Sequence, residues 1–355
     1  MNLREVVEKI GPEDQGAREE AHRRWSACAK PLGGLGFLET VVENVAALTG
    51  STAVDFGHRA LLVLCADNGV VAQGVTQSPS SVTAAVAGNL AAGRSSVCMM
   101  AKVARCRVVP VDMGILDFSG LPGLLDRRMG NGTQDISVGP AMTRRQAEQA
   151  VLTGIELVRE QQEQGCRLLA TGEMGIGNTT TSSAVACMLL GRQVQELTGR
   201  GAGLSDQGLR RKIEVIRRAI AVNRPDPEDP LDVLSKLGGF DIAGLCGIFL
   251  GGALYGIPVL IDGVISSAAA LCAERLCPNS AKAMVASHVS QEPASRLLLE
   301  ALGKRPLITA GMHLGEGTGA VAAIPLLDMA LAVYQGSSTF DETGIEAYQP
   351  LGGQP

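Results

Sequence analysis

Five short apolar runs, each stopping at a polar or glycine-containing turn, constrain the fold of this chain more than any other feature. Residues 60–66 (ALLVLCA) run into Asp67-Asn68-Gly69, residues 107–111 into Asp112-Met113-Gly114, and residues 168–171 into Gly172-Glu173. Residues 256–261 then run into Asp262-Gly263, and residues 282–287 into His288. Runs this short and this continuously apolar read as parallel strands buried on both faces. Segments of helical pattern separate them, among them 79–104 and 142–164, so strand and helix alternate. The expected fold is α/β: a Rossmann-like parallel sheet flanked by helices. Polar residues gather at its strand C-terminal ends, where ligands of open α/β sheets bind.

The two ends of the chain differ from this pattern. Residues 1–30 are charged and helical in pattern, and residues 318–334 are an Ala/Leu-rich helical stretch. A small helical domain is therefore expected from 1–30 plus 320–355, beside a large α/β catalytic domain over 31–319. Residues 224–230 (RPDPEDP) read as a surface loop, and the tail 335–355 is turn-rich, with Phe340 and Tyr348 available to dock it. The apolar stretch 242–273 is interrupted by Gly251-Gly252, Pro258 and Asp262, which divides it into a helix and a strand, so no membrane span is expected. The N-terminus lacks the apolar core of a signal peptide.

A net charge of −5 with only 3% aromatic residues supplies neither a basic track nor stacking platforms, so nucleic acid is not an expected partner. Nine cysteines form no C-x-x-C pair, and most lie inside apolar runs. They read as buried reduced thiols, so a reducing cytoplasm is the expected compartment.

Residues 172–181 (GEMGIGNTTT) stand between an apolar run and a helical segment. Glycines there let backbone amides converge, and a helix N-terminus adds positive potential, so a phosphate is the expected guest. No Lys follows the last glycine, which excludes the Walker pattern, and the G-x-x-G-x-G spacing reverses the dinucleotide fingerprint. A monophosphate remains, as does a tight strand-to-helix connection with no ligand. Three further clusters stand beside it: 199–206 (GRGAGLSD) ahead of Arg210-Arg211-Lys212, 287–292 (SHVSQE), and 315–319 (GEGTG). Together the four suggest one composite phosphoribosyl pocket. Each member also has a plainer reading. Glu316 could be a helix N-terminal acid, Lys212 one solvated charge in its run, and His288 a half-buried imidazole. Asp67, Asp112 and Asp262 could cap turns, the preferred reading for Asp112.

Adding residues 30–39 (KPLGGLGFLE), 66–70 (ADNGV) and 262–263 (DG) gives seven clusters whose order resembles the nicotinate-nucleotide:dimethylbenzimidazole phosphoribosyltransferases of cobalamin biosynthesis. The resemblance covers nearly the whole chain. It implies transfer of the phosphoribosyl group of nicotinate mononucleotide to 5,6-dimethylbenzimidazole with inversion at C1′, giving α-ribazole 5′-phosphate and nicotinate. It implies no cofactor, no metal, and a homodimer. The family's catalytic base falls on Glu316. Gly175, Ile176, Gly177, Asn178 and Thr179 would surround the donor phosphate, with Gly201, Gly203 and Gly315 in the neighbouring glycine clusters. Lys212 would add positive charge, Glu173 and Ser290 would approach ribose or phosphate, Asp262 would line the pocket, and Ser78 would help frame the base. The family's usual residues are replaced at Gly34, Asn68, Ala202 and Ser205. Two alternatives stay open: the same transfer to a purine, another benzimidazole or a phenol, and a nucleotide-binding protein without turnover.

Overall fold

The computed structural model describes residues 1–348; residues 349–355, the end of the expected terminal helical unit and tail, lie outside them. Six strands make one sheet: β1 (Arg59–Ala66), β2 (Cys106–Gly114), β3 (Leu125–Asp126), β4 (Leu168–Met174), β5 (Val259–Ile261) and β6 (Met284–Ala286). Their order is β3-β2-β1-β4-β5-β6, and every neighbouring pair is parallel. The expected parallel α/β sheet is present. One strand gave no apolar signal, because β3 is only Leu125 and Asp126, held by pairing with Val111 and Asp112.

Alternate residues of β1 feed opposite faces. Ala60, Leu62, Leu64 and Ala66 join one apolar cluster, while Leu61, Val63 and Cys65 join the other. Burial on both sides explains why the run is apolar at every position rather than at every second one.

Three sequence expectations are corrected. Strand β4 continues through Gly172, Glu173 and Met174, so these belong to the sheet and the turn is confined to Gly175–Gly177. The segment 79–104 is two helices, Ser81–Ala91 and Ser96–Val103. Gly93 adopts φ +67° after the first, and the Ser95 hydroxyl accepts from the Cys98 amide at 3.4 Å to start the second. The stretch 242–273 holds a second helix, Val264–Leu276, beyond β5. The expected helix at 142–164 is Arg144–Glu163, opened by a capping box of Thr143 and Gln146.

Helices Arg144–Glu163 and Phe240–Tyr255 cross on the first face of the sheet at two glycines. A Cβ on Gly154 would lie 2.9 Å from the Cα of Gly247 and would collide with the Gly244 carbonyl. Gly154→Ala is therefore expected to destabilise the fold by roughly 3 kcal/mol, an overpacking cost with no flexible neighbour to absorb it. A denaturant melt reads this directly, and a midpoint equal to wild type would show that the crossing relaxes.

The chain ends meet on the second face. The rings of Trp25 and Tyr334 lie 4.9 Å apart, and the Ala29 amide donates to the Ser338 carbonyl at 2.8 Å. Both aromatics share a cluster with Leu61 and Val63 of β1, whereas Leu3, Val6 and Ile10 pack into the cluster on the opposite face. Helix Thr318–Gly336, 19 residues with mean hydropathy 1.4, is long and apolar enough to cross a membrane. Its Ala320, Val321, Ile324 and Leu327 are instead buried in that second cluster, and Arg59 holds its Asp328 at 2.8 Å.

Candidate active site

The chain order reverses between β1 and β4, and beside that switch point a cleft of about 320 Å³ opens at the C-terminal ends of β4 and β5. Its floor is Glu173, Met174 and Asp262, from the strand ends. The loop before helix Ser81–Ala91 contributes Thr76 and Ser78, and the helix itself Val82 and Val86. The loops after β6 contribute His288, Ser290 and Glu292, then His313, Leu314, Gly315 and Glu316.

One end is built for an anion. Helix Asn178–Leu190 begins at Gly177, which takes φ +97° and leaves the helix N-terminus without a side-chain cap. Its Asn178 and Thr180 amides donate to the Gly175 and Gly177 carbonyls at 3.1 and 2.9 Å, which leaves the amide of Thr179, a cleft-lining residue, and the macrodipole to meet an anion. Behind them Lys212 is fully buried, and its Nζ donates to Thr179 Oγ1 at 2.9 Å and to the Gly199 carbonyl at 3.1 Å. Burial pulls this ammonium down to about 8, with Glu292 opposing the shift. The reading of Lys212 as a solvated charge is thereby overturned. It belongs to a basic run, yet helix Asp206–Asn223 turns this one position inward.

Carboxylates gather beside this helix start. Glu173 accepts from the Asn178 amide, which also donates to Asp241 Oδ2 at 3.0 Å. Burial pushes Glu173 up to about 8, with Asn178 opposing and the charges of Asp241, Asp262 and Glu316 adding to it. Burial likewise raises Asp241 to about 6 and shifts Asp262 upward, the latter opposed by His288. Asp262 Oδ1 accepts from the Ala320 amide at 3.0 Å, and His288 Nδ1 lies 3.1 Å from Ser287 Oγ.

Glu316 lines the same cleft from the turn ahead of helix Thr318–Gly336. Three successive residues, Gly315, Glu316 and Gly317, have φ of +88°, +59° and +88°. Glu316 is the one of the three with a side chain, so its backbone is held where only glycine is at ease. What holds it is β4: a Cβ on Gly172 would lie 2.7 Å from the Glu316 carbonyl oxygen. The first glycine of the 172–181 motif thus serves the Glu316 turn, allowing it to lie directly on the strand. Burial shifts the Glu316 carboxyl upward, opposed by Ser95 and the Val97 amide, and its Oε2 is buried with no hydrogen-bond partner.

Of the residues singled out from sequence, Ser78, Glu173, Gly175, Ile176, Gly177, Asn178, Thr179, Gly201, Asp262, Ser290, Gly315 and Glu316 all line this cleft. Lys212 stands behind its wall. Gly203 lies outside it, exposed, with its carbonyl accepting from the Gln77 side chain. Asp112 caps a turn as expected, its Oδ1 accepting from the Gly114 and Ile115 amides at 2.9 and 2.8 Å. Asp67 is likewise tied down, accepting from Thr83 Oγ1 at 2.7 Å and the Leu116 amide at 2.9 Å. The 30–39 cluster is a turn clamp, in which Glu39 Oε1 accepts from Lys30 Nζ at 2.6 Å and the Leu35 amide at 2.9 Å. Sequence reasoning missed Val82, Val86, Leu314 and His313 on the walls, and Asp241 beneath them. Asp241 carried the one available signal, an acid at the head of an otherwise apolar helix.

A family model described as phosphoribosyltransferase matches residues 10–345. The nicotinate-nucleotide–dimethylbenzimidazole phosphoribosyltransferase of Ruminiclostridium cellulolyticum is 44% identical over 351 residues, covering 99% of this chain and 100% of that protein. The protein of the same name from a Roseiflexus species is 45% identical over 344 residues, covering 97% and 98%. The crystal structure of CobT from Thermus thermophilus superposes with a TM-score of 0.89 at 40% identity, over 94% of this chain and 100% of that one. With this fold, this cleft and matches of this extent, the chain belongs to the nicotinate-nucleotide–dimethylbenzimidazole phosphoribosyltransferase family.

Proposed function

We infer that this chain is a phosphoribosyltransferase that moves the 5-phosphoribosyl group of nicotinate mononucleotide onto 5,6-dimethylbenzimidazole, and that Glu316 is its general base. The donor phosphate sits on the N-terminus of helix Asn178–Leu190, against the Gly201 amide, with Lys212 supplying charge through Thr179. The ribose lies beside Glu173 and Ser290, and the acceptor between Val82, Val86 and Leu314. Attack at C1′ by one benzimidazole nitrogen breaks the bond to the nicotinate nitrogen, whose pyridinium charge is neutralised as it leaves. The attacking ring becomes cationic, and the proton on its second nitrogen passes to the Glu316 carboxylate. Attack opposite the departing group inverts the anomeric centre, so a β-nucleotide gives an α-ribotide.

The observation that carries this reading is Glu316 itself: a partly desolvated carboxylate with an unpartnered oxygen, fixed on a left-handed backbone at the cleft edge. An acid with its pKa raised toward neutrality accepts a proton while keeping basicity. Glu173, pushed to about 8, is predominantly neutral at pH 7 and can donate as well as accept at the ribose hydroxyls. The aliphatic walls favour a flat apolar acceptor over a hydroxyl-rich one. Competition among dimethylbenzimidazole, adenine and a phenol, with α-linked products resolved by mass and chromatography, tests the acceptor. Dimethylbenzimidazole is expected to dominate; preference for adenine or phenol would reassign it, and no product with any base would leave only a nucleotide-binding protein.

A homodimer in a reducing cytoplasm is proposed with it. All nine cysteines are buried and unpaired, a state that such a compartment preserves.

A further inference from the structure

The anion end of the cleft already contains a carboxylate. Glu292, on the loop after β6, reaches across to the 199–203 loop, where its Oε1 accepts from the Gly201 amide at 2.9 Å. Its carboxylate lies so close to Gly199 that a Cβ there would collide with it. Gly201 in turn packs against the buried cation: a Cβ on it would lie 2.8 Å from Thr179 Oγ1 and 3.5 Å from Lys212 Nζ. Glu292 has no cationic side chain within salt-bridge distance among the described residues, and its one hydrogen bond as an acceptor is to the Gly201 amide. It is also the one charge that opposes the burial of Lys212. A carboxylate joined to an anion-binding amide, within the field of a buried ammonium, occupies the chemical role of a phosphate oxygen.

We propose that Glu292 is a tethered surrogate for the donor phosphate: its carboxylate holds the Gly201 amide, and the phosphate of an arriving mononucleotide takes that amide and displaces it. This rests on the donor reading above, because it needs a phosphate at the N-terminus of helix Asn178–Leu190. Two consequences follow from the charge. The surrogate keeps the 199–203 loop ordered and Lys212 compensated when no phosphate is bound. It also sets a ceiling on affinity, since every phosphate must displace a carboxylate and then sit near it, and the monophosphate product is expelled by the same repulsion. Glu292 is thus a positioning residue that exchanges tightness for release.

The test uses Glu292→Gln, which keeps an oxygen acceptor for the Gly201 amide and removes only the charge. Calorimetric titration with inorganic phosphate and with nicotinate mononucleotide is expected to give a Kd lower than wild type by about tenfold for both, the scale of one close like-charge contact in a partly desolvated site. In turnover, KM for the donor falls and product inhibition by α-ribazole 5′-phosphate tightens, so KM and kcat fall together. A general loss of loop structure would raise KM instead. Glu292→Ala, which also removes the acceptor, is expected to bind phosphate more tightly than wild type and to melt earlier. Equal or weaker binding of both ligands by a folded Glu292→Gln protein overturns the proposal, and if that variant does not fold, Glu292→Ala decides in the same way. If wild type binds inorganic phosphate but not nicotinate mononucleotide, the donor reading fails while the phosphate arm still decides the role of Glu292.

Discussion

Glu316→Gln is expected to lower kcat by roughly 10²- to 10⁴-fold, the range of a single positioned general base, while leaving the Kd for nicotinate mononucleotide within about twofold of wild type. Glutamine matches the carboxylate in shape, and the proposed phosphate site at the start of helix Asn178–Leu190 does not include Glu316. The substitution thus removes proton acceptance and little else. The same assignment fixes the acid limb of the pH profile. Burial shifts Glu316 above the ordinary carboxylate value, so its basic form is lost as pH falls through that raised value. The rate accordingly falls on acidification at a pH above that of an exposed glutamate, and the Gln variant loses this limb. A Gln variant with wild-type kcat would remove Glu316 from the chemistry.

Lys212→Met is expected to raise the KM for the donor by about 10- to 100-fold with a much smaller change in kcat, the loss of one charge-assisted contribution to phosphate binding. The fold is expected to tolerate it. Lys212 carries a fully desolvated charge, and methionine matches its length without that cost, although Thr179 Oγ1 and the Gly199 carbonyl each lose a donor. The sign of the pH effect follows from the lowered pKa. The ammonium is charged below about 8 and loses its proton above it, so kcat/KM for the donor falls as pH rises through that value. Glu173 titrates in the same interval, near 8, and its ionisation adds negative charge to the cleft, which acts in the same direction. In Lys212→Met the alkaline limb shrinks to the part Glu173 contributes. An unchanged donor KM would show that Lys212 only braces the loop.

How far the sequence revealed this site depends on how local each determinant is. The sheet was legible because β1, β2 and β4 carry short apolar runs, and the cleft because the runs of β4, β5 and β6 stop at Glu173, Asp262 and His288. Glu316 was reached through the order of the glycine clusters, and its setting follows from Gly315 and Gly317 on either side. Determinants made by distant contacts left no local trace. Strand β3 exists only through pairing with β2, and Lys212 looks like its exposed neighbours until Thr179 and Gly199 close over it. Gly172 reads as part of a phosphate loop, but its missing side chain makes room for the turn at Glu316, far along the chain. Val82 and Leu314 are ordinary aliphatics whose role comes from lining the same cleft. The helix break at Gly93-Arg94-Ser95 was the exception, since its left-handed glycine and serine cap were both present in the local sequence.

The most direct measurement incubates the purified protein with β-nicotinate mononucleotide and 5,6-dimethylbenzimidazole, then determines nicotinate released and the anomeric configuration of the ribotide by NMR. The account predicts one nicotinate per α-linked ribotide, with both products suppressed together in Glu316→Gln. A β-linked ribotide, or nicotinate release without any ribotide, would contradict it.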